Sequence, residues 1–182
     1  LSAASALARE IREVVIPEVD TRIYSVMATG AGTKATATTL TASNIYEKIL
    51  AGSETLDDNE IPETGRVLIC TPSTYTLIKK AVGETAYNDV DASMRALGVV
   101  AMLDGMAVIK VPAVRLPSAF GFMIAHPSAT VAPVKLEDYG IHNDTPLSSG
   151  AIVTGRIVYD AFVLDNKNKG IYYQAITQGG EQ

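Results

Sequence analysis

Between Ala4 and Thr29 the apolar side chains Leu7, Ile11, Val15, Val19, Ile23 and Met27 recur at every fourth position. That is a helical period and not the two-residue period of a strand. About 26 residues in one helix make a rod roughly 39 Å long, more than twice the common length. No small core covers such a rod, so the rest of the chain must be built along it. A stripe stepping by four drifts about 40° per step on a 3.6-residue helix, which turns Leu7 and Met27 to nearly opposite sides. The rod must therefore lie across two separate bodies or bend. Pro17 offers the bend, because it removes the hydrogen bond to the Glu13 carbonyl. The other surface carries Arg9, Glu10, Arg12, Glu13, Glu18, Asp20 and Arg22, with Arg9/Glu13 and Glu18/Arg22 spaced for pairing along the helix. Exposed pairs contribute only ~0 to 1 kcal/mol. This surface reads either as a solvated face or as a contact for neighbouring copies of the chain.

The chain has 182 residues, 47% of them hydrophobic, enough for one large domain or two small ones with a real core. It reads as a soluble globular protein. A net charge of -5 argues against a reader of nucleic-acid sequence, which usually shows a basic stripe. The single cysteine, Cys70, cannot form an internal disulfide and points to a reducing compartment. It ends the apolar run Val67-Leu68-Ile69-Cys70 and reads as a buried, inert thiol. No apolar run reaches the ~18 residues of a membrane span, and no signal peptide is visible. Leu1 is not an initiator Met, and the long helix follows almost at once, so the chain reads as a fragment or processed product.

After the helix, Thr29 to Thr39 reads as a linker or weak strand edge. Within it, Gly30-Ala31-Gly32-Thr33-Lys34 is superficially like a phosphate loop but lacks the Walker spacing. Thr41 is expected to cap a second helix through about Asn59, with Leu40 and Ile45 as a hydrophobic staple and Ile45, Ile49 and Leu56 facing inward. Val67 to Cys70 reads as a buried strand. Thr71-Pro72 then launches a third helix whose Tyr75, Leu77 and Ile78 pack back. Residues Val82 to Asp91 are expected to form a mobile loop, followed by a short helix over Ala92 to Leu97. Asp104-Gly105, between Val99–Leu103 and Met106–Val111, predicts a hairpin, placed centrally because both arms are apolar. Gly121 to Ala125 is another short strand. In the tail, Ala151 to Leu164 alternates as one long strand and Gly170 to Ile176 returns against it.

Catalytic signatures are missing. His126 and His142 lack a companion metal-ligand spacing, and neither a Gly-x-Ser-x-Gly elbow nor a dinucleotide fingerprint occurs. His126, ahead of Pro127, reads as a hydrogen-bonded structural histidine. Glu137, Asp138 and Asp144 near His142 could in principle serve acid/base chemistry, although carboxylates beside Gly140 and Pro146 also read as turn formers. No cofactor and no metal are expected.

Three segments taken together carry a family resemblance: Glu10-Ile11-Arg12-Glu13-Val14-Val15-Ile16-Pro17-Glu18-Val19-Asp20, Leu40-Thr41-Ala42-Ser43-Asn44-Ile45-Tyr46 and Glu63-Thr64-Gly65-Arg66-Val67-Leu68-Ile69. With Gly155 to Lys167 and Gly170-Ile171-Tyr172-Tyr173, this series resembles the major capsid (coat) proteins of tailed bacteriophages and prophages. The resemblance implies an α+β chain with the Hong Kong 97-type capsid fold. In that fold a peripheral domain (1–62 and 150–182) holds the spine helix, the second helix and a long β-hairpin, and an axial domain (63–149) gathers subunits into pentamers and hexamers. The family also carries an N-terminal arm and an extended loop ahead of the spine. Neither is present here, which implies a monomer or small oligomer for this chain.

The implied function is structural: self-association into an icosahedral shell around DNA, in the virion, assembled in the bacterial cytoplasm. Other copies of the chain are the partners, with scaffold and portal proteins beside them and no membrane. The contact residues this implies are Arg9, Glu10, Arg12, Glu13, Glu18 and Arg22 on the spine, and Glu84, Asn88 and Asp89 in a loop near the capsomer axis. An encapsulin-type compartment shell is the alternative within the fold. An enzyme of hydrolase type using His142, Glu137 and Asp138 is the alternative outside it.

Overall fold

The structure is a computed structural model and describes residues 3–82, 99–142 and 152–177. Its first element is the expected rod. Ala3–Glu10 and Ile16–Gly30 are α-helical, and the π-helical turn Ile11–Val15 joins them into one continuous helix, α1, about 42 Å long at ~1.5 Å per residue. Within the π turn the Ile16 N–H donates to the Ile11 carbonyl, five residues back. The break that Pro17 would impose is thus absorbed one turn earlier, in a wider loop of the ladder. The π turn also takes up one extra residue, which removes about 100° of the accumulated drift. The apolar stripe consequently stays on one side: Val19 and Met27 are buried, and Leu7, Ile11, Val15 and Ile23 are half-buried.

The remaining elements are β1 (Thr33–Ala35), α2 (Ile45–Asp58), β2 (Val67–Cys70), α3 (Pro72–Val82), β3 (Val99–Leu103), β4 (Met106–Lys110), β5 (Phe120–Ala125), β6 (Thr130–Val131), β7 (Val134–His142), β8 (Ile152–Tyr159), β9 (Phe162–Val163) and β10 (Ile171–Ala175). Six strands form one mixed sheet in the order β1-β10-β5-β2-β4-β3, while β6 pairs with β9 and β7 with β8. Alternation along the strands divides the core in two. Leu68, Cys70, Phe122, Ile124 and Tyr172 face α2 and α3, meeting Ile45, Ile49, Leu56 and Ile78. Ile69, Met123, Ala125 and Ile171 face the other way, toward Met27 and Ala31 at the end of α1.

The local signals explain most of these elements. Thr71 Oγ1 accepts the Thr74 N–H at 3.1 Å, and Pro72 opens α3. Asp104 and Gly105 both have positive φ, 49° and 71°, as the two-residue turn between β3 and β4 requires. The cap of α2 is less simple. The regular helix starts at Ile45, but the Asn44 side chain accepts the Thr41 N–H at 2.8 Å, and the Ile45 N–H reaches the Thr41 carbonyl at 3.0 Å. Thr41 therefore opens the turn that leads into the helix. Gly30-Ala31-Gly32 serves close packing: a Cβ on Gly32 would come within 2.7 Å of the Asn168 backbone, and one on Gly30 within 2.8 Å of Val163. Lys34 Nζ caps the end of α1 through the Thr29 carbonyl at 2.6 Å. The loop expected over Val82 to Asp91 and the helix over Ala92 to Leu97 lie outside the described residues, apart from Val82 at the end of α3.

Two expectations are corrected. The β3–β4 hairpin is not central: β3 forms the edge of the six-stranded sheet, because β2 pairs with β4 on one side and β5 on the other. The tail strands do not pair with each other either. Residues 152–159 pair antiparallel with 134–142, whereas 171–175 insert between β1 and β5. The long strand breaks at Asp160, whose Oδ1 accepts the Ala161 N–H at 2.8 Å and whose own N–H bonds the Pro133 carbonyl at 3.2 Å. A self-bonding Asp of this kind offers the backbone an alternative to the ladder. Glu137 and Asp138, read as turn formers, lie in β7 instead, with a register shift between Glu137 and Tyr139.

One polar atom of the fold stands out. Thr130 Oγ1, on β6, is enclosed without a hydrogen-bond partner. Thr130→Val removes a desolvated hydroxyl at nearly constant shape, so a gain of about 1 kcal/mol is expected, read as a higher melting temperature. A lower one would show that the hydroxyl is satisfied in solution.

Candidate functional site

The long helix joins two bodies. Its first half lies over the β7–β8 ribbon, leaving an apolar groove of about 280 Å³ lined by Ile11, Val15, Ile16, Val19, Val134 and Ile157. Its last turns pack on the six-stranded sheet through Met27. Of the alternatives posed by the drifting stripe, the helix lies across two supports, with the π turn Ile11–Val15 between them.

Polar ties fix the helix between them. Glu18 accepts the Tyr159 hydroxyl at 3.2 Å, and Arg22 Nη2 binds Asp160 Oδ1 at 3.1 Å. On the other flank Asp20 Oδ2 holds Arg115 Nη1 at 2.9 Å. The expected Glu18/Arg22 pair along the helix is therefore replaced by two ties to the end of β8, where Tyr159 and Asp160 offer better-placed partners. The Arg9/Glu13 pair forms as spaced, at 3.3 Å, and Arg12 adds a contact to Glu13 at 3.6 Å. Glu10 lines a second groove with Leu7, Gly155 and Ile157. Glu84, Asn88 and Asp89 lie outside the described residues.

The Ala161 backbone N–H, and after it the Arg22 guanidinium, holds the Asp160 carboxyl below the usual carboxylate range. A depressed carboxylate pKa stabilises the fold above the unfolded value, about 3.9, and loses that contribution as pH falls through the lower folded value. The helix–ribbon junction is expected to loosen in that acid window. Asp160→Asn should remove the pH dependence of amide-exchange protection at Ala161; an unchanged profile would mean that another group controls the junction.

Glu137 and His142 are five positions apart on one extended strand, about 16 Å, and Asp144 lies outside the described residues. His126 has a structural role. Ser128 N–H donates to Nδ1 at 3.2 Å, so the ring proton sits on Nε2 and donates to the Thr64 carbonyl at 3.2 Å. Burial pushes the Cys70 thiol up to about 12, which leaves almost no thiolate at neutral pH. Among the described residues no group of three or more His, Cys, Asp or Glu side chains is placed to hold a metal, and no helix is long and apolar enough to cross a membrane.

Reasoning from sequence missed the Asp20–Arg115 and Arg22–Asp160 ties, which join positions far apart in the chain. It also missed Arg66, a buried guanidinium that binds Asp57 at 2.6 Å.

Comparison with known proteins fits this arrangement. The structure is similar to a protein of Mycobacterium phage Che8, with a TM-score of 0.71 at 18% identity, covering 93% of this chain and 62% of that one. It is similar to the capsid of cyanophage P-SCSP1u (TM-score 0.70, 16% identity, 98% of this chain and 67% of that one) and to the mature capsid of bacteriophage PhiM1 (0.66, 12%, 98% and 66%). The chain thus spans about two thirds of the length of these relatives. Their shared architecture is the Hong Kong 97-type capsid fold. None of the curated protein sequences matches the chain. Residues 2–174 match the phage capsid protein family, and the chain belongs to that family of structural proteins.

Proposed function

We propose that the chain is a shell subunit that self-associates into pentamers and hexamers of an icosahedral capsid, enclosing DNA without reading its bases. The observation that carries this reading is the long helix laid across a ribbon and a mixed sheet, in a chain that matches the capsid family over residues 2–174. Assembly is its activity, and it needs no catalytic group. Other copies of the chain are the principal partners, with scaffold and portal proteins acting during assembly in the host cytoplasm.

Arg9, Glu10, Arg12, Glu13, Glu18 and Arg22 on α1 contribute to contacts with neighbouring copies, and Glu84, Asn88 and Asp89 lie toward the capsomer axis. Residues 1–62 with 150–182 form the peripheral part and 63–149 the axial part, with the six-stranded sheet shared between them. Electron microscopy of the concentrated protein tests this reading. Closed particles of uniform diameter with fivefold and sixfold clusters are expected. Dispersed single subunits would contradict it, and particles filled with protein instead of nucleic acid would replace the capsid by a compartment shell.

A further inference from the structure

The six-stranded sheet separates two surfaces of unlike charge. On one face α2 and the turn after it expose Glu47, Glu54, Asp57, Asp58, Glu60 and Glu63 against Lys48, and α3 adds Lys79 and Lys80 in its last turn. On the other face the segment after β8 closes on the last turns of α1. There Phe162 and Val163 line a cleft of about 410 Å³ with Arg22, Ser25 and Thr29. The Gly32 N–H donates to the Asn168 carbonyl at 2.9 Å, which sets Lys167 and Lys169 beside the end of the helix, and Lys34 Nζ reaches the Thr29 carbonyl at 2.6 Å. These contacts join Ser25, Thr29, Lys34, Lys167 and Lys169, all exposed, into one strip with Arg22 at its far end. Arg22 is bound by Asp160, and Asp165 is the nearest other carboxylate in sequence. Lys34, Lys167 and Lys169 form no ion pair among the described residues. In a chain of net charge -5, the positive charge on this face is segregated from the acid on the other.

We propose that the strip where residues 161–169 close on the end of α1 is a contact for the phosphate backbone of duplex DNA, through Lys34, Lys167 and Lys169 with the Ser25 and Thr29 hydroxyls beside them. The helix C-terminus alone would repel an anion; Lys34, seated on the Thr29 carbonyl, offsets that end. From Ser25 to Gly32 the helix rises about 10 Å, a length over which a duplex presents about six phosphate charges. Lysines and hydroxyls on phosphates hold a duplex without reading its sequence, which suits a chain of acidic balance. The choice of DNA rests on the shell reading above, which makes DNA the polyanion this chain encloses. The α2 face, with its carboxylates, would turn away from it.

Salt-dependent binding tests the contact. The parent chain, all 182 residues, is titrated into a labelled duplex of about 20 base pairs and followed by fluorescence anisotropy between about 50 and 200 mM NaCl. Three neutralised phosphates predict a slope of log K against log salt of about -3. Lys167→Gln with Lys169→Gln should weaken binding about tenfold or more and reduce the slope by about 2. Lys79→Gln with Lys80→Gln, the same change in net charge on the other face, should weaken it less than twofold. Melting temperatures within about 2 °C of the parent identify folded variants. No binding by the parent, equal losses from the two pairs, or an unchanged slope for the Lys167/Lys169 pair would overturn the assignment. Poly-glutamate binding as tightly as DNA, with the same loss in that pair, would also overturn it, in favour of an acidic protein segment. If the parent closes into particles while the Lys167/Lys169 pair binds DNA like the parent, the shell reading survives and this contact does not. If the predicted losses appear and no particles form, the contact survives and the shell reading does not.

Discussion

Phe122→Ala is expected to destabilise the chain by about 3–5 kcal/mol, the range found when a fully buried Phe is cut back to its Cβ. Phe122 is on β5, has no exposed surface, and stands in register with Cys70 on β2 and Gln174 on β10. Its ring stacks on Tyr172 with centroids 6.1 Å apart, among the residues that α2 and α3 cover. One side chain thus joins segments from three distant parts of the sequence. A close-packed interior relaxes only partly around such a hole, so a cavity term adds to the lost burial. Urea denaturation should show a large fall in midpoint with little change in slope, and Phe122→Leu should lose about 1.5 kcal/mol or less. A loss under 1 kcal/mol for Phe122→Ala would mean that the sheet and helices do not form one packed core.

Arg66→Leu should cost a similar amount, about 3–5 kcal/mol, for a different reason. Arg66 is 2% exposed at the start of β2. Nε donates to the Pro62 carbonyl at 3.0 Å, Nη1 reaches Ser53 Oγ at 3.3 Å and its carbonyl at 3.4 Å, and Nη2 serves the Ile61 carbonyl and Asp57. All five guanidinium donors are engaged. Removing them takes away the partner of the Ser53 carbonyl within α2 and of the Ile61 and Pro62 carbonyls in the turn before β2, and each desolvated acceptor left unpaired costs about 1–3 kcal/mol. Arg66→Lys should recover only part of the loss, because an ammonium has three donors and no planar fork. Asp57→Ala should cost about 1 kcal/mol or less, since half of that side chain faces solvent. Equal costs for Asp57→Ala and Arg66→Leu would show that the ion pair, and not the carbonyl network, is what Arg66 supplies.

Arg66 also shows where the sequence ceased to be legible. An arginine ahead of a short apolar strand reads as surface, because its burial depends on carbonyls supplied by a turn whose path is not written locally. Features with local causes were readable. The four-residue stripe gave the long helix, Thr71-Pro72 gave the start of α3, and Asp104-Gly105 gave the hairpin. The family resemblance gave the fold class, since its segments keep their order along the whole chain. The β7–β8 ribbon was hidden for a specific reason: Val134 and Leu136 alternate in one phase and Tyr139 and Ile141 in the other, because the register shifts between Glu137 and Tyr139. Without that phase change residues 134–142 would have read as a strand, and 152–159 would have had its true partner. The contact residues proposed on α1 were legible only as an exposed charged face. Glu18 and Arg22 stay exposed but reach across to Tyr159 and Asp160, positions that an i,i+4 rule cannot foresee.

Sedimentation velocity of the unmodified chain across a concentration series tests most directly whether these surfaces exist to be tiled. A subunit mass of 19.2 kDa giving way, as concentration rises, to discrete species in multiples of five and six subunits is the predicted result. A single 19.2 kDa boundary at every concentration would contradict it.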